Sequence, residues 1–142
     1  MKGRPGWIGL WVLCGSLAGC GDGGSTSHGD GGHSHAGERF DLGSVEAAGL
    51  TISATQIGRI EPGRAIVVEL DVKGDPKSFD VIRMWVGDES GKGVLRMRAT
   101  RSEGSYHAHL DVDVEATAEA RLWLEVEAGG ESFRRSFDRE GT

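Results

Sequence analysis

All five histidines of the chain fall into two compact groups, and imidazole is a side chain well suited to zinc, copper or nickel. His28, His33 and His35 stand among Asp22, Asp30 and Glu38 in a stretch of Gly, Ser and Asp. Short histidine-rich tracts of this kind are a compositional mark of metal binding. Such a tract has to order itself around an ion, so weak, exchangeable capture of copper or zinc is the chemistry expected of it. The plain alternative is a polar linker that happens to contain histidine. His107 and His109 form the second group. On a strand, residues two apart face the same way at about 6 to 7 Å, and two imidazoles at that spacing can share one metal at about 2 Å each. Asp111, or an acidic side chain on a neighbouring strand, would add a third ligand. Trp123 and Glu125 are expected nearby if the last hairpins pair with this strand. Against this stands the ordinary polar outer face of a half-buried strand, or a pair acting as a pH-sensitive surface near pH ~6.5.

Two other stretches imitate binding motifs. Gly87-Asp88-Glu89-Ser90-Gly91-Lys92-Gly93 has the look of a phosphate loop, but the glycine spacing is one short, no Ser or Thr follows Lys92, and two acids would repel phosphate. Asp111-Val112-Asp113-Val114-Glu115 has alternating acids like a calcium loop, yet it lies in a strand-like alternation without the turn glycine. The chain has no Gly-x-Ser-x-Gly elbow, no reactive thiol and no His-Glu-x-x-His pair, so a non-enzymatic role is expected.

The elements that must position the second histidine pair are strands. From Phe40 onward short apolar alternations are separated by turn signals at intervals of roughly 8 to 12 residues, the sequence form of an antiparallel sandwich. Strands are expected near residues 40–45, 50–54, 65–72, 79–86 and 94–99. In the third of these Ile66, Val68, Leu70 and Val72 share the inward face, and in the last Leu95, Met97 and Ala99 alternate with Arg96 and Arg98. A long strand then follows with Tyr106, Ala108, Leu110, Val112 and Val114 on one face and His107, His109, Asp111, Asp113 and Glu115 on the other, a contrast that sets the register. Ala120, Leu122, Leu124 and Val126 continue the core, Gly129-Gly130 reads as a tight hairpin, and residues 133–137 close an edge. No segment sustains a 3.6-residue period, so the fold expected is all-β: a single antiparallel sandwich of about seven strands over residues 40–138, with a short tail at 139–142.

Ahead of that domain the composition changes twice. Residues 21–38 are almost devoid of apolar side chains and cannot offset their conformational entropy by burial, so residues 20–39 are expected to act as a flexible tether. Residues 1–19 carry Lys2 and Arg4, then a mostly apolar run from Trp7 to Leu17 that is broken by Gly9, Gly15 and Ser16 and is shorter than the roughly 20 residues of a membrane span. This is the layout of an export signal. Its last residues, Leu17-Ala18-Gly19-Cys20, resemble the lipobox of bacterial lipoproteins. The resemblance implies cleavage before Cys20, lipidation of that thiol, and anchoring in the cell envelope. Gly21, where an Asp would favour retention in the inner membrane, points to the outer membrane in a host that has two. Cys14 would leave with the signal and Cys20 would carry lipid, so no disulfide is expected and stability must come from packing. Loss of Lys2 and Arg4 takes the formal charge from −6 to −8. An acidic surface argues against nucleic acid and anionic headgroups as partners, leaving the membrane, through the lipid, and an envelope protein.

Glu103-Gly104-Ser105-Tyr106-His107-Ala108 resembles the tyrosine corner of immunoglobulin-like domains, with Ala108 where antibody domains carry a cysteine. Residues 64–137 are similar in layout to small exported sandwich domains of the YtkA-like type. The resemblances imply an immunoglobulin-like sandwich, and no functional residue is carried over from them.

Overall fold

The alternations from Phe40 onward fold into nine antiparallel strands in the computed structural model, which describes residues 36–138. They are β1 (Arg39–Ala47), β2 (Leu50–Ile57), β3 (Ala65–Lys73), β4 (Val81–Gly87), β5 (Met97–Arg98), β6 (Thr100–Ser102), β7 (Ser105–Asp111), β8 (Arg121–Ala128) and β9 (Glu131–Phe137). One sheet has the order β1-β2-β3-β7-β6 and the other β5-β4-β8-β9. Taking β2 as strand A, these are the A-B-E-D and C′-C-F-G orders of an immunoglobulin-like sandwich, with β1 added outside A. No helix among the described residues is long and apolar enough to cross a membrane.

Each sheet turns one apolar face inward, as period-two alternation requires. Ile52, Ile66, Val68, Leu70, Ala108 and Leu110 of the larger sheet join Ile82, Met84, Leu122, Leu124 and Val126 of the smaller in one buried cluster. Three two-residue turns hold the hairpins: Ala48-Gly49, Glu103-Gly104 and Gly129-Gly130. All six residues have positive φ, between 50° and 95°, which is the type I′ geometry that matches strand twist. Ala48 and Glu103 adopt it without being glycine, at some conformational cost.

The sandwich is closed differently on its two sides. On one, β1 and β9 lie against each other, and Arg135 Nε donates to the Glu46 carbonyl at 2.9 Å. A register shift between Asp41 and Ser44 kinks β1, which spoils that edge as a template for another strand. On the other side the chain changes sheets. β5 pairs with β4, the Ala99 amide donates to Ile82 at 2.9 Å, and β6 then pairs with β7. The edges there are only two and three residues long.

Several expectations are corrected. The strand expected at 94–99 is divided, because Ala99 is the pivot between sheets, and Leu95 is 69% exposed instead of inward. The long strand expected through Val114 ends at Asp111. Val112 still pairs with Gly63 and Arg64, but Asp113 starts a turn that leaves Val114 exposed. The expected tyrosine corner is a hairpin within one sheet: Ser102 pairs with Ser105, and Tyr106 opens strand E, not the F strand where such a corner belongs. Ala108 consequently pairs with Val68 in the same sheet and does not occupy the position of an inter-sheet cysteine. The domain also begins slightly earlier than residue 40, since the Glu38 carbonyl accepts the Gly58 amide at 2.9 Å.

With no disulfide expected in the domain, truncation of the core acts directly on stability. Leu124→Ala, at a fully buried position of the central strand β8, is expected to lower unfolding free energy by about 3 kcal/mol. A shift of the urea midpoint with unchanged slope checks this.

Candidate functional site

The outer face of the larger sheet carries the second histidine pair. The strand register sets its rows. Arg39, Ile57, Val67 and His109 form one, and Asp41, Thr55, Glu69, His107 and Thr100 form the next. The two imidazoles stand edge to face with ring centroids 5.6 Å apart, as expected of alternate residues on a strand. His107 is half-buried and His109 exposed. Pairing with β6 ends at Thr100↔His107, so β7 is the edge of this sheet beside His109. Asp111 follows on the same face, opposite Ala65, while Glu69, opposite His107, is ion-paired with Arg39 across β2. Among the described residues, no group of three or more His, Cys, Asp or Glu side chains is arranged to hold a metal ion. The structure therefore brings His107 and His109 together and does not add Asp111 as a third ligand. His28, His33, His35 and Cys20 lie outside the described residues.

Trp123 and Glu125 are not near the histidines. They lie on β8, on the outer face of the opposite sheet, because β8 pairs with β4 and β9 and not with β7. That face holds a cluster that alternation alone did not reveal. Arg83, Glu125 and Arg134 are cross-strand partners in one row. The Glu125 side chain is only 3% exposed, with Arg134 Nε at 2.6 Å, Arg96 Nη1 at 3.4 Å and Arg83 Nη1 at 3.8 Å. Arg83 also pairs with Glu127. In the next row Trp85 stacks on Trp123 at 6.3 Å and 12°. Trp85 is fully buried although it faces outward, because the loop after β4 folds over it. Its indole N–H donates to the Asp88 carbonyl at 2.8 Å, and the Arg96 guanidinium lies 4.8 Å above its ring. Gly91, at φ +59°, makes this possible, since a Cβ there would sit 2.6 Å from Arg96 Nε and 3.0 Å from the Trp85 ring. The phosphate-like stretch is thus a lid on a tryptophan. Its Gly91 amide is directed onto the Asp88 carboxylate at 2.9 Å, and the hydrogen bond from Ser90 is the main cause holding that carboxyl below its ordinary range.

No protein-family model, curated protein or solved structure matches this chain. The site is accordingly argued from its own residues.

A third surface feature is a cleft of about 470 Å³ between the β4–β5 and β7–β8 loops, lined by Asp88, Lys92, Asp113, Glu115 and Glu119. Two of its carboxylates are engaged by their own loops: Asp88 as above, and Asp113 by the Glu115 amide at 2.8 Å. The calcium-like run therefore contributes its Asp113 to a local turn.

Burial drives the Glu125 carboxyl pKa upward, but hydrogen bonds from Arg134 and Ser132 and the charges of Arg134 and Arg96 outweigh it, so the net shift is downward. A carboxyl whose folded-state pKa is depressed stabilises the fold above its unfolded-state pKa, about 4.3, and loses that contribution as pH falls through the folded-state value. Glu125→Gln is expected to cost about 2 kcal/mol at pH 7. The difference from the parent protein should shrink progressively in denaturation curves taken below pH ~4.

Proposed function

We propose that this protein is a lipid-anchored, non-enzymatic domain of the bacterial cell envelope that binds copper or zinc weakly through histidine. The observation that carries the reading is the His107–His109 pair, two imidazoles 5.6 Å apart on a polar outer face. Neutral imidazole suits both metals, and the chain concentrates its remaining histidines in the segment just ahead of the domain. Two ligands on one strand, with no group of three or more His, Cys, Asp or Glu arranged for a metal among the described residues, hold an ion loosely, which fits capture and transfer better than permanent storage.

The envelope placement is part of the same proposal and rests on the signal-like residues 1–19 and on Leu17-Ala18-Gly19-Cys20. A lipid on Cys20 would hold the domain at the membrane surface. The outer membrane is proposed for a host with two membranes, on the strength of Gly21.

A second reading, docking onto an envelope protein, draws on the opposite face, where Arg83, Arg96 and Arg134 surround Glu125 and the half-buried Trp123 lies in the next row. Tryptophan and arginine are the side chains most enriched at interaction hot spots. Retention of an envelope partner that survives both chelation and replacement of all five histidines favours this reading over metal handling.

Calorimetric titration of the full mature chain in detergent with Zn²⁺ and Cu²⁺ is expected to give dissociation constants on the order of 10–100 μM, corresponding to about 5–7 kcal/mol. Binding no tighter than about 100 μM for both ions removes the metal reading. For the anchor, intact-mass spectrometry should find a chain starting at a lipid-modified Cys20, and Cys20→Ser should abolish the modification and release the protein from membranes. An unprocessed Met1 terminus, or a processed chain without acyl groups, overturns the placement.

A further inference from the structure

We infer that His107 and His109 form a two-coordinate site selective for the cuprous ion over zinc, with the two imidazole nitrogens as its only protein ligands. The inference rests on the metal-binding reading above and deepens it, naming which ion the strand pair takes.

The number of donors decides first. Protein-bound zinc takes four ligands at tetrahedral corners, and even sites that keep one position open draw three from the chain. Cu⁺ has the same filled d shell but a single charge and a softer character, and two nitrogen donors in line satisfy it. Strand β7 offers that pair and little more. Its outward side chains recur every second residue, so the neighbours of the pair along the strand are Ser105 and Asp111. The Ser105 hydroxyl donates to the Ser102 carbonyl, and Asp111 does not join the two histidines in a metal-holding group. Across the strands, Glu69 lies directly opposite His107, but its carboxylate is ion-paired with Arg39. Val67 lies opposite His109 and has no donor to offer.

The spacing admits the in-line arrangement. With each nitrogen about 2 Å from the metal, two imidazoles on opposite sides of an ion have their centroids about 6 Å apart. The observed separation is 5.6 Å, with the rings at 87° to each other. In-line coordination leaves each ring free to twist about its metal–nitrogen axis. A turn about χ2, a torsion with broad wells, is therefore enough to aim both nitrogens at one ion. The surroundings also favour a single charge: His107 is half-buried and Val67 flanks His109, and drawing an ion partly out of water costs less for one unit of charge than for two.

The test uses the full mature chain in detergent, kept anaerobic, with Cu⁺ presented by a chromophoric competing chelator and Zn²⁺ followed by calorimetry. A variant with His28, His33 and His35 replaced by alanine is studied beside the parent, so that the strand pair is read alone. In that background one equivalent of Cu⁺ is expected, bound at least about a hundredfold more tightly than Zn²⁺. X-ray absorption should show two nitrogen neighbours at about 2 Å. Adding His107→Ala or His109→Ala should cost more than the about tenfold that loss of an outer-shell partner costs a metal site. Asp111→Asn should leave Cu⁺ affinity unchanged. All these positions are polar and outside the core, so unchanged thermal unfolding of the metal-free variants confirms that affinity, not folding, is read. Zinc bound as tightly as Cu⁺, three or four ligands in the absorption spectrum, weakening by Asp111→Asn, or no Cu⁺ binding in the triple-alanine background overturns the two-coordinate site while leaving metal binding by the parent standing. Absence of Zn²⁺, Cu²⁺ and Cu⁺ binding by the parent overturns both.

Discussion

The register between β3 and β7 is held by side chains turned into the sandwich. Ile66, Val68 and Leu70 point into the sandwich opposite Leu110, Ala108 and Tyr106, and a slip by one residue would turn all of them to solvent while driving Glu69, His107 and His109 into the core. Burying an imidazole pair and a carboxylate without partners is far more costly than any gain from repairing the ladder. The apolar face therefore positions the polar one. The two imidazoles stand side by side, with His109 in the row of Ile57 and Arg39, because hydrophobic burial on the far side of the strand fixes the outward face.

The two outer faces of the sandwich use polar side chains in opposite ways. On the larger sheet they are mostly short or singly charged and carry the histidine pair at an edge. On the smaller sheet a carboxylate has been drawn almost completely out of water and surrounded by arginines from β4, β9 and the segment before β5. Four parts of the chain are bound there by one charge, and Trp85, one of the two stacked indoles, shares the same guanidinium, Arg96. A buried charge that is fully paired contributes less to net stability than its partners would lose on its removal. Its effect is to specify how β4, β8 and β9 align.

With no cysteine among the described residues, closure of the sandwich rests on how its edges are treated. Kinked β1 against β9 on one side, and a chain that passes from one sheet to the other at Ala99 on the opposite side, leave little straight, unpaired strand exposed. The cost of this arrangement is visible at Ala48 and Glu103, two non-glycine residues held at positive φ so that two-residue turns can match the twist of their strands.

Period-two alternation and turn residues were sufficient to determine that this protein is an all-β sandwich, which residues of β3, β7 and β8 point inward, that Gly129-Gly130 makes a hairpin, and that His107 and His109 share an outward face. These are local properties, set by backbone geometry and by which side of a strand can leave water. Partner choice is not local. That β8 pairs with β4 and not with β7, placing Trp123 and Glu125 on the opposite face from the histidines, depends on packing between strands tens of residues apart. The same holds for the division of the 94–99 stretch between two sheets and for Tyr106 opening strand E. Glu125 read as solvent-facing because alternation reports direction and not depth. Only the tertiary structure, by bringing Arg83, Arg96 and Arg134 to it, decided that an outward carboxylate would be buried, since desolvation of a charge depends on neighbours that the sequence does not list side by side.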